Sequence, residues 1–242
     1  MKLRDYQQKC VQSVADYKAK GILKQLVVAA TGTGKSVTFS HLVANEPGRS
    51  LILTHRDALV DQAATHLERD LPGQTIGRIN GRLKQYGARV SVGSVPTLCR
   101  EQNLEKTGQY DLVIVDEAHL AASKTFRKVI DHVCHEKTLC CGFTATPNRA
   151  DGKGLAGVFD EIVFEYPLIE ATKDGWLAPL KTYEIALDCD MSGLKMKTEQ
   201  GERDVNLDDL QNVMEASRWC EHVAGEWQKL ASDRLTLAFT PR

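Results

Sequence analysis

The stretch Ala29-Ala30-Thr31-Gly32-Thr33-Gly34-Lys35-Ser36 decides the fold of this chain. An apolar run from Leu26 to Ala30 leads into it, and apolar residues at helical spacing follow it, so the sequence predicts a strand, a turn and a helix. The two glycines permit backbone conformations that a Cβ would exclude, which lets successive N–H groups converge on one anion. The spacing therefore predicts a loop that holds a polyphosphate.

The other residues of this loop have separate roles in such a site. Lys35 supplies a mobile ammonium for the β and γ phosphates, and the Ser36 hydroxyl is the expected ligand of Mg²⁺. The backbone of Thr31, Gly32, Thr33 and Gly34 offers donors, and the N-terminus of the following helix adds about half a positive charge. The alternative is a glycine-rich turn with a surface lysine, which leaves the complete eight-residue spacing unexplained.

Composition describes an ordinary globular protein. The 242 residues are 42% hydrophobic and 26% charged, enough for one sizeable core and part of another. Since no apolar run approaches the roughly 20 residues that span a bilayer, and the N-terminus lacks a secretion signal, we expect a cytoplasmic location and no membrane partner. The net charge of −1 gives no global reason to expect nucleic acid, so such binding needs a local basic patch.

Seven cysteines show no paired spacing of the kind that disulfide frameworks have. Cys140 and Cys141 are neighbours on a predicted strand, so their side chains point to opposite faces of a sheet. Buried reduced thiols are the favoured interpretation. A metal site built from Cys134, His135, Cys140 and Cys141 is the alternative, although no second CxxC-type pair supports it.

Strands and helices alternate over residues 1–165, which predicts an α/β lobe with a parallel sheet covered by helices on both faces. Helices are expected near 3–20 and 58–70, after Ser36, and around Phe126 to Val133. The predicted strands are 26–30, 50–54, 75–79, 89–92, 112–115, 138–143 and 161–165.

The character of the chain changes after residue 165. We expect a connector over 166–232, and over 233–242 the first strand of a second lobe, centred on 235–239. Acidic residues dominate 188–215, which is typical of a solvated segment. The other elements predicted in the connector are a helix at 168–174, a strand at 181–187 and a helix at 207–231.

A second cluster of functional residues, Asp116-Glu117-Ala118-His119, follows the apolar run Leu112–Val115. This run is typical of a central parallel strand, and open α/β sheets bind ligands at the carboxyl ends of such strands. Asp116 can hold Mg²⁺ through water, and Glu117 can orient and deprotonate an attacking water. We expect the phosphate loop and this pair to end neighbouring strands and face one metal-bound triphosphate. The alternative is that the two acids are helix caps or surface charges.

Six segments in this order resemble the first RecA-like lobe of superfamily 2 helicases, closest to the XPB-like and type III restriction-like DNA helicases, some of them phage-encoded. Asp116 to His119 spells a DEAH box. The segments that carry the resemblance are Leu3-Arg4-Asp5-Tyr6-Gln7, Ala30 to Ser36, Leu53 to Arg56, Ser94 to Leu98, Asp116 to His119 and Thr144-Ala145-Thr146. The segment from Gly142 to Gly152 is most similar to the DNA-directed branch of these helicases.

The resemblance implies roles that spacing alone does not give. Arg4, Tyr6 and Gln7 would form an adenine-reading segment, with an amide that both donates and accepts; by itself the segment is a plain amphipathic helix. His119 would join Lys35, Asp116 and Glu117 in the catalytic set. The residues expected to contact a nucleic-acid backbone are Thr54, His55, Arg56, Ser94 and Thr97. Thr144 and Thr146 are expected to couple the state of the γ-phosphate to these nucleic-acid contacts.

Motifs V and VI of the family, which come from a second lobe, have no room in these residues. An arginine finger from that lobe accelerates related P-loop enzymes by about 10³ to 10⁵. We therefore expect the chain to be the ATP-binding half of a DNA helicase or translocase, with RNA possible and a second lobe in cis or in trans. On its own it should bind Mg·ATP and hydrolyse it poorly.

Three alternatives stay open beside the helicase interpretation. A GTPase needs an Asn-Lys-x-Asp guanine reader, which is missing, and a small-molecule kinase needs an arginine-rich lid, which we do not find. A short non-catalytic protein that binds nucleotide or nucleic acid and regulates a partner helicase is the third.

Overall fold

A computed structural model describes residues 2–146, 155–184, 196–199, 202–205, 207–216 and 219–239. The chain forms two compact units, Met1–Pro179 and Leu180–Arg242. In the described part of the chain, no helix combines the length and apolar character needed to cross a membrane.

The first unit is built on a seven-stranded sheet in which every pair of neighbouring strands is parallel. The strands are β1 (Lys24–Ala29), β2 (Ser50–Thr54), β3 (Ile76–Ile79), β4 (Val90–Ser94), β5 (Tyr110–Asp116), β6 (Cys134–Thr144) and β7 (Glu161–Tyr166). Their order across the sheet is β3-β4-β2-β5-β6-β1-β7. The α/β RecA-like fold expected from the sequence is confirmed.

Helices form most of the crossovers between the parallel strands, although residues 80–89 connect β3 to β4 without a helix. These helices are α1 (Asp5–Ala19), α2 (Lys35–Asn45), α3 (Asp57–Asp70), α4 (Val95–Leu98), α5 (Glu101–Thr107), α6 (Lys124–Val133) and α7 (Leu168–Lys173). Short 3-10 helices lie at Ala118–Leu120 and Leu155–Gly157. On α6, Phe126, Val129, Ile130 and Val133 form the buried stripe that their spacing predicts.

The sheet is buried on both faces. Along β5, Val113 and Val115 enter one hydrophobic core, while Leu112 and Ile114 enter the other. This alternation follows from the period of two in a strand, and it explains why the run contains no polar residue.

The expectation that the phosphate loop and the Asp116–Glu117 pair end neighbouring strands is wrong. The loop follows β1 and the pair follows β5, and β6 lies between these two strands. Strand order depends on long-range pairing, which an apolar run in the sequence does not encode. Both groups nevertheless emerge at the carboxyl edge, because all the strands are parallel.

The first unit continues beyond residue 165, where the sequence analysis ended the lobe. Ala171 of α7 is fully buried in a small cluster with Tyr6 and Tyr166. The predicted helix at 168–174 therefore exists, and its buried side packs on residues beside the phosphate loop.

The second unit contains regular structure, and the connector expected over 166–232 stays a prediction. It contains the antiparallel strands β8 (Met196–Glu199) and β9 (Glu202–Val205), and the helices α8 (Leu207–Ala216) and α9 (Trp219–Ala231). Both helices fall within the single helix predicted at 207–231, and residues 217–218 between them lie outside the described residues. An acidic composition did not reveal the β8–β9 pair because the backbone hydrogen bonds of a hairpin do not depend on apolar side chains.

Two strands predicted near this unit do not form in the described residues. Residues 181–184 have no regular structure, and 185–187 of that predicted strand lie outside the described range. The segment 235–239 also has no regular structure, with Leu235 and Phe239 almost fully exposed. A β-rich run forms a strand only where another strand supplies hydrogen-bond partners, and among the described residues neither segment has such a partner.

Candidate functional site

The phosphate loop needs its glycines for conformation. Gly32 has φ +85° and Gly34 has φ +74°, a region that residues with a Cβ rarely adopt. Gly34 is the N-cap residue of α2, so the turn aims the first N–H groups of this helix at the space in front of the loop. The predicted phosphate cradle is present in the structure as a strand, a glycine turn and a helix.

The predicted adenine-reading segment contacts the phosphate loop. Gln7 Nε2 donates to the carbonyl oxygens of Thr33 (3.2 Å) and Gly34 (3.3 Å), while Gln7 Oε1 accepts from the Arg4 N–H at 3.0 Å. The Tyr6 hydroxyl donates to the Thr33 carbonyl at 2.5 Å. Both side chains are buried. In the structure they support the loop, and their contact with adenine stays a prediction.

Three further residues beside the loop were missed by the sequence analysis. The Tyr166 ring stacks on Tyr6 with centroids 4.2 Å apart, and the Arg4 guanidinium lies 4.1 Å from the centroid of the Trp176 ring. Leu177 approaches Gly32 so closely that a Cβ there would meet its side chain at 3.0 Å. No motif marks these residues, because aromatic and aliphatic side chains near position 170 resemble ordinary core residues.

We expect Gly34→Ala to lower both stability and nucleotide affinity. A Cβ at Gly34 would lie 2.9 Å from Gln7 Nε2, in addition to the left-handed strain of about 1–2 kcal/mol. Gly21→Ala is a matched control, since Gly21 has φ +82° but open space around its Cβ position. Urea denaturation should show a loss of stability in both variants. Only Gly34→Ala should weaken nucleotide binding, by about tenfold or more, and equal affinity in the two variants would contradict the role of this turn.

Asp116 and Glu117 share one cleft with the phosphate loop. The cleft has a volume of about 390 Å³. The loop lines one side and the acidic pair lines the other: Thr31, Gly32, Gly34, Lys35, Ser36, Asp116 and Glu117. Thr54 of β2 and Gln62 and His66 of α3 add further polar side chains to the lining. The geometry that the sequence predicted is therefore present, even though the two strands are not neighbours.

The charges in this cleft suit a divalent cation. Burial raises the pKa of the Asp116 carboxyl, and the neighbouring Glu117 carboxylate raises it further, while the Lys35 ammonium opposes both. A bound cation would favour the ionised carboxylate. Ser36 and Asp116 line this cleft and carry oxygen atoms, the type of ligand that Mg²⁺ prefers. Their role as metal ligands stays a prediction.

Glu117 has a strained backbone. It is the one non-glycine residue with positive φ in the described part of the chain, at +54°. Such strain costs about 1–3 kcal/mol and is concentrated at functional sites. Its carboxylate Oε2 lies 3.3 Å from His119 Nδ1.

A polar chain leads from this carboxylate to the end of β6. His119 Nδ1 lies 3.4 Å from the Thr144 hydroxyl. That hydroxyl accepts from the Thr146 N–H at 3.1 Å. The chain physically joins the DEAH segment to the Thr144–Thr146 segment.

Three of the predicted nucleic-acid contacts are buried, so their side chains do not face solvent in this structure. Ser94 is fully buried, Thr97 is 3% exposed and Thr54 is 1% exposed. Their hydroxyls bond within the protein: Thr54 donates to the carbonyl of Arg56, and the other two donate to Asp57. All three residues lie at the carboxyl edge of the sheet, and their contact with nucleic acid stays a prediction. Arg56 is exposed and His55 is half-buried.

Asp57 is the residue that organises this part of the edge. Its carboxylate accepts from the hydroxyls of Ser94 and Thr97 and, at 3.0 Å, from the N–H of Gly81. The hydrogen bond from Ser94 lowers the pKa of the Asp57 carboxyl, and the other two bonds add to that effect. The sequence offered one signal, an acid immediately before a predicted helix, but helix capping explains that position equally well.

The cysteines show no metal centre. No group of three or more His, Cys, Asp or Glu in the described residues could hold a metal ion. Cys134, Cys140 and Cys141 are free thiols. Burial raises the pKa of Cys141, which disfavours the thiolate that a metal would need.

The all-parallel sheet, the phosphate loop and the acidic pair in one cleft define a RecA-like P-loop protein. Residues 1–149 match the family described as type III restriction enzyme, res subunit (ResIII). The chain belongs to this family. Its resemblance to the first RecA-like lobe of superfamily 2 helicases, near the type III restriction-like branch, is thereby confirmed.

Curated relatives and solved structures agree with this assignment. The chain is 35% identical over 203 residues to the putative mitochondrial ATP-dependent helicase irc3 of Schizosaccharomyces pombe, covering 79% of this chain and 34% of the relative. It is 31% identical over 231 residues to the putative ATP-dependent helicase IRC3 of Saccharomyces cerevisiae, covering 88% and 32%. The chain thus spans about a third of their length. Because one relative is named as mitochondrial, the cytoplasmic location stays a prediction.

Two solved structures support the fold alone. The UvsW helicase from bacteriophage T4 matches with a TM-score of 0.52 and 22% identity, over 68% of this chain and 60% of that chain. The type ISP restriction-modification enzyme LlaBIII bound to DNA matches with a TM-score of 0.56 and 18% identity, over 72% and 16%.

Proposed function

We propose that this chain is the ATP-binding half of an ATP-dependent DNA helicase or translocase. The observation that carries the proposal is the single cleft that holds Lys35 and Ser36 on one side and Asp116 and Glu117 on the other. Relatives of the chain are named ATP-dependent helicases, which supports ATP as the nucleotide.

The loop binds and orients the triphosphate. Helix geometry leaves the first N–H groups of α2 without an acceptor inside the helix, so those of Lys35 and Ser36 can donate to phosphate oxygens. Lys35 neutralises charge on the β and γ phosphates. Arg4, Tyr6 and Gln7 would contact adenine. Because Tyr6 and Gln7 also donate to the carbonyls of Thr33 and Gly34, adenine binding at these residues would affect the conformation of the loop.

Magnesium completes the site in this proposal. Ser36 and Asp116 would hold the ion, and their oxygen donors fit it. The ion, when bound, would neutralise charge that develops on the phosphates during hydrolysis. Glu117 orients a water for attack and accepts its proton, because it borders the same cleft while its carboxylate is held near His119.

His119, Thr144 and Thr146 then transmit the state of the γ-phosphate. A change in the position of Glu117 alters its contact with His119, and the His119–Thr144 contact passes the change to the end of β6. The coupling is supported by a continuous series of contacts that runs from the Glu117 carboxylate through His119 to the Thr144 hydroxyl, which accepts from the backbone N–H of Thr146.

DNA is the proposed partner. Relatives in the fold comparison include enzymes described as bound to DNA, namely LlaBIII and an SWI2/SNF2 ATPase core of Sulfolobus solfataricus in complex with dsDNA. Arg56 and His55 at the carboxyl edge provide contacts to a sugar-phosphate backbone. Such contacts do not distinguish DNA from RNA by themselves.

A second RecA-like lobe, in cis or in trans, supplies the arginine finger in this proposal. The test is phosphate release from ATP with and without single- and double-stranded DNA, comparing the 242-residue chain with a form that also carries a second lobe. We expect slow, DNA-independent turnover by the chain and DNA-stimulated turnover by the longer form, faster by about 10³ or more. Rapid DNA-stimulated turnover by the chain alone would contradict the need for a second lobe. Failure of both forms to bind nucleotide would contradict the proposed function itself.

A further inference from the structure

A cluster of aromatic side chains supports the phosphate loop from outside the nucleotide cleft. The Tyr166 ring is stacked on the Tyr6 ring, with centroids 4.2 Å apart and planes inclined by 12°. The Trp176 ring meets the Tyr6 ring at an angle of 62°, with centroids 6.1 Å apart. Both tyrosines are buried, and neither lines the described cleft. The orientation of the Tyr6 ring is therefore set by the two aromatic rings around it.

Tyr166 comes from a part of the chain that carries no helicase motif. It lies beyond residues 1–149, which match the type III restriction family, and it is the last residue of β7, next to β1 in the sheet. Its carbonyl accepts from the Ala30 N–H at 3.1 Å. The backbone of Tyr166 is thus attached to the start of the phosphate loop, while its side chain contacts Tyr6.

Asp174 fixes the other end of the Tyr166 side chain. The Tyr166 hydroxyl donates to Asp174 Oδ2 at 2.8 Å. Burial raises the pKa of the Tyr166 phenol, and the hydrogen bond to Asp174 raises it further, so the phenol stays a donor at neutral pH. Asp174 is itself anchored at the end of α7, where its N–H donates to the Glu170 carbonyl at 2.9 Å. The Tyr166 ring is therefore held at its backbone and at its hydroxyl.

Tyr6 connects this cluster to the phosphate-binding N–H groups. Its hydroxyl donates to the Thr33 carbonyl at 2.5 Å. Because the C=O and N–H of a trans peptide point in opposite directions, the Gly34 N–H points away from Tyr6. Gly34 lines the nucleotide cleft. A hydrogen bond behind the loop thus fixes the direction of an N–H donor in front of it.

We propose that Tyr166 and Asp174 are positioning residues for nucleotide binding, which hold the Tyr6 ring where its hydroxyl fixes the Thr33–Gly34 peptide. This proposal rests on the proposed function and adds two residues from outside the helicase motifs to its ATP site. A loop whose peptides are oriented before binding loses less conformational entropy when the phosphates bind. Tyr166 and Asp174 act through Tyr6 and need no contact with the nucleotide.

Tyr166→Leu tests the role of the stacked ring. Calorimetric titration of the full chain measures the affinity for two Mg²⁺-bound ligands, a non-hydrolysable ATP analogue and tripolyphosphate, which has no base. We expect both affinities to fall about fivefold to tenfold, in keeping with the contribution of an aromatic pair. Tyr166→Phe and Asp174→Ala each remove only the hydrogen bond, so both should weaken the two ligands by about threefold. A loss for the ATP analogue alone would place Tyr166 in base binding and refute the proposal.

Tyr6→Phe tests whether the effect passes through the Tyr6 hydroxyl. This variant keeps the ring that stacks on Tyr166 and removes the donor to the Thr33 carbonyl. In the Tyr6→Phe background, Tyr166→Leu should weaken either ligand by less than about twofold, because the contact through which it acts is already absent. If the two losses multiply in the combined variant, Tyr166 acts independently of that hydroxyl and the proposal is refuted.

Tyr86→Leu is the matched control. Tyr86 is a half-buried tyrosine between β3 and β4, strands that lie apart from β1 in the sheet, and its hydroxyl donates to Asn103 Oδ1 at 2.9 Å. It should lower the temperature of thermal unfolding and leave both affinities unchanged. If Tyr166→Leu does not fold, Asp174→Ala at an exposed residue replaces it in the test.

Two outcomes separate this proposal from the proposed function. If Tyr166→Leu and Asp174→Ala bind both ligands as tightly as Tyr86→Leu does, the positioning role is refuted and the proposed function stands. If the wild-type chain binds neither ligand, the positioning role and the ATP-binding part of the proposed function are both refuted.

Discussion

Lys35→Ala is expected to abolish nucleotide binding by the 242-residue chain. The Lys35 ammonium borders the cleft between the phosphate loop and Asp116, and in the described residues no other lysine or arginine lines that cleft. Its loss removes a charge-assisted contact to two phosphates, so the affinity for Mg·ATP should fall about 100-fold or more, equivalent to about 2.7 kcal/mol. Titration with a fluorescent ATP analogue measures the change.

Lys128→Ala controls for the loss of a positive charge. Lys128 is an exposed lysine on α6, away from the loop. Its affinity for the analogue should equal that of the wild type, and both variants should unfold at similar temperatures. A Lys35→Ala chain that binds the analogue within a few-fold of the wild type would show that the loop does not hold the phosphates.

Glu117→Gln is expected to keep nucleotide binding and remove turnover. The amide is nearly isosteric with the carboxylate, so the left-handed backbone and the cleft persist, but the side chain can no longer accept a proton from water. In a form that carries both lobes, the rate of ATP hydrolysis should fall by about 10² to 10⁴ with little change in affinity. Single-turnover kinetics separates the chemical step from binding.

Glu105→Gln makes the same chemical change on α5, at an exposed residue outside the cleft. Its rate should match that of the unmodified form. Equal hydrolysis rates for Glu117→Gln and Glu105→Gln would remove Glu117 from the role of base. If Glu117→Gln instead lost nucleotide affinity together with its hydrolysis rate, Glu117 would contribute mainly to nucleotide binding.

Local sequence determines the parts of the site that depend on local geometry. The glycines at 32 and 34 are needed for their positive φ, and Leu112–Val115 must be apolar because both faces of β5 are buried. These constraints act within a few residues, so the loop, the central strand and the parallel sheet could all be predicted. The location of Arg56 at the carboxyl edge followed from the same reasoning.

Long-range packing determined what the sequence did not reveal. A serine or threonine at a strand end can face solvent or donate inward, and only the position of Asp57 decides that Ser94 and Thr97 donate inward. The position of β6 between β1 and β5, and the contact of Trp176 with Arg4, could not be predicted for the same reason. Each depends on a partner distant in sequence, and the local pattern is the same with or without that partner.

The central claim is that the phosphate loop and Asp116 hold one Mg²⁺-bound nucleotide between them. Calorimetric titration of the chain with a non-hydrolysable ATP analogue, with and without Mg²⁺, in wild type and Asp116→Ala, tests it most directly. We predict one binding site whose affinity in the wild type rises about tenfold or more with Mg²⁺, and a variant in which Mg²⁺ has little effect. An Asp116→Ala chain with the same magnesium dependence as the wild type would contradict the claim.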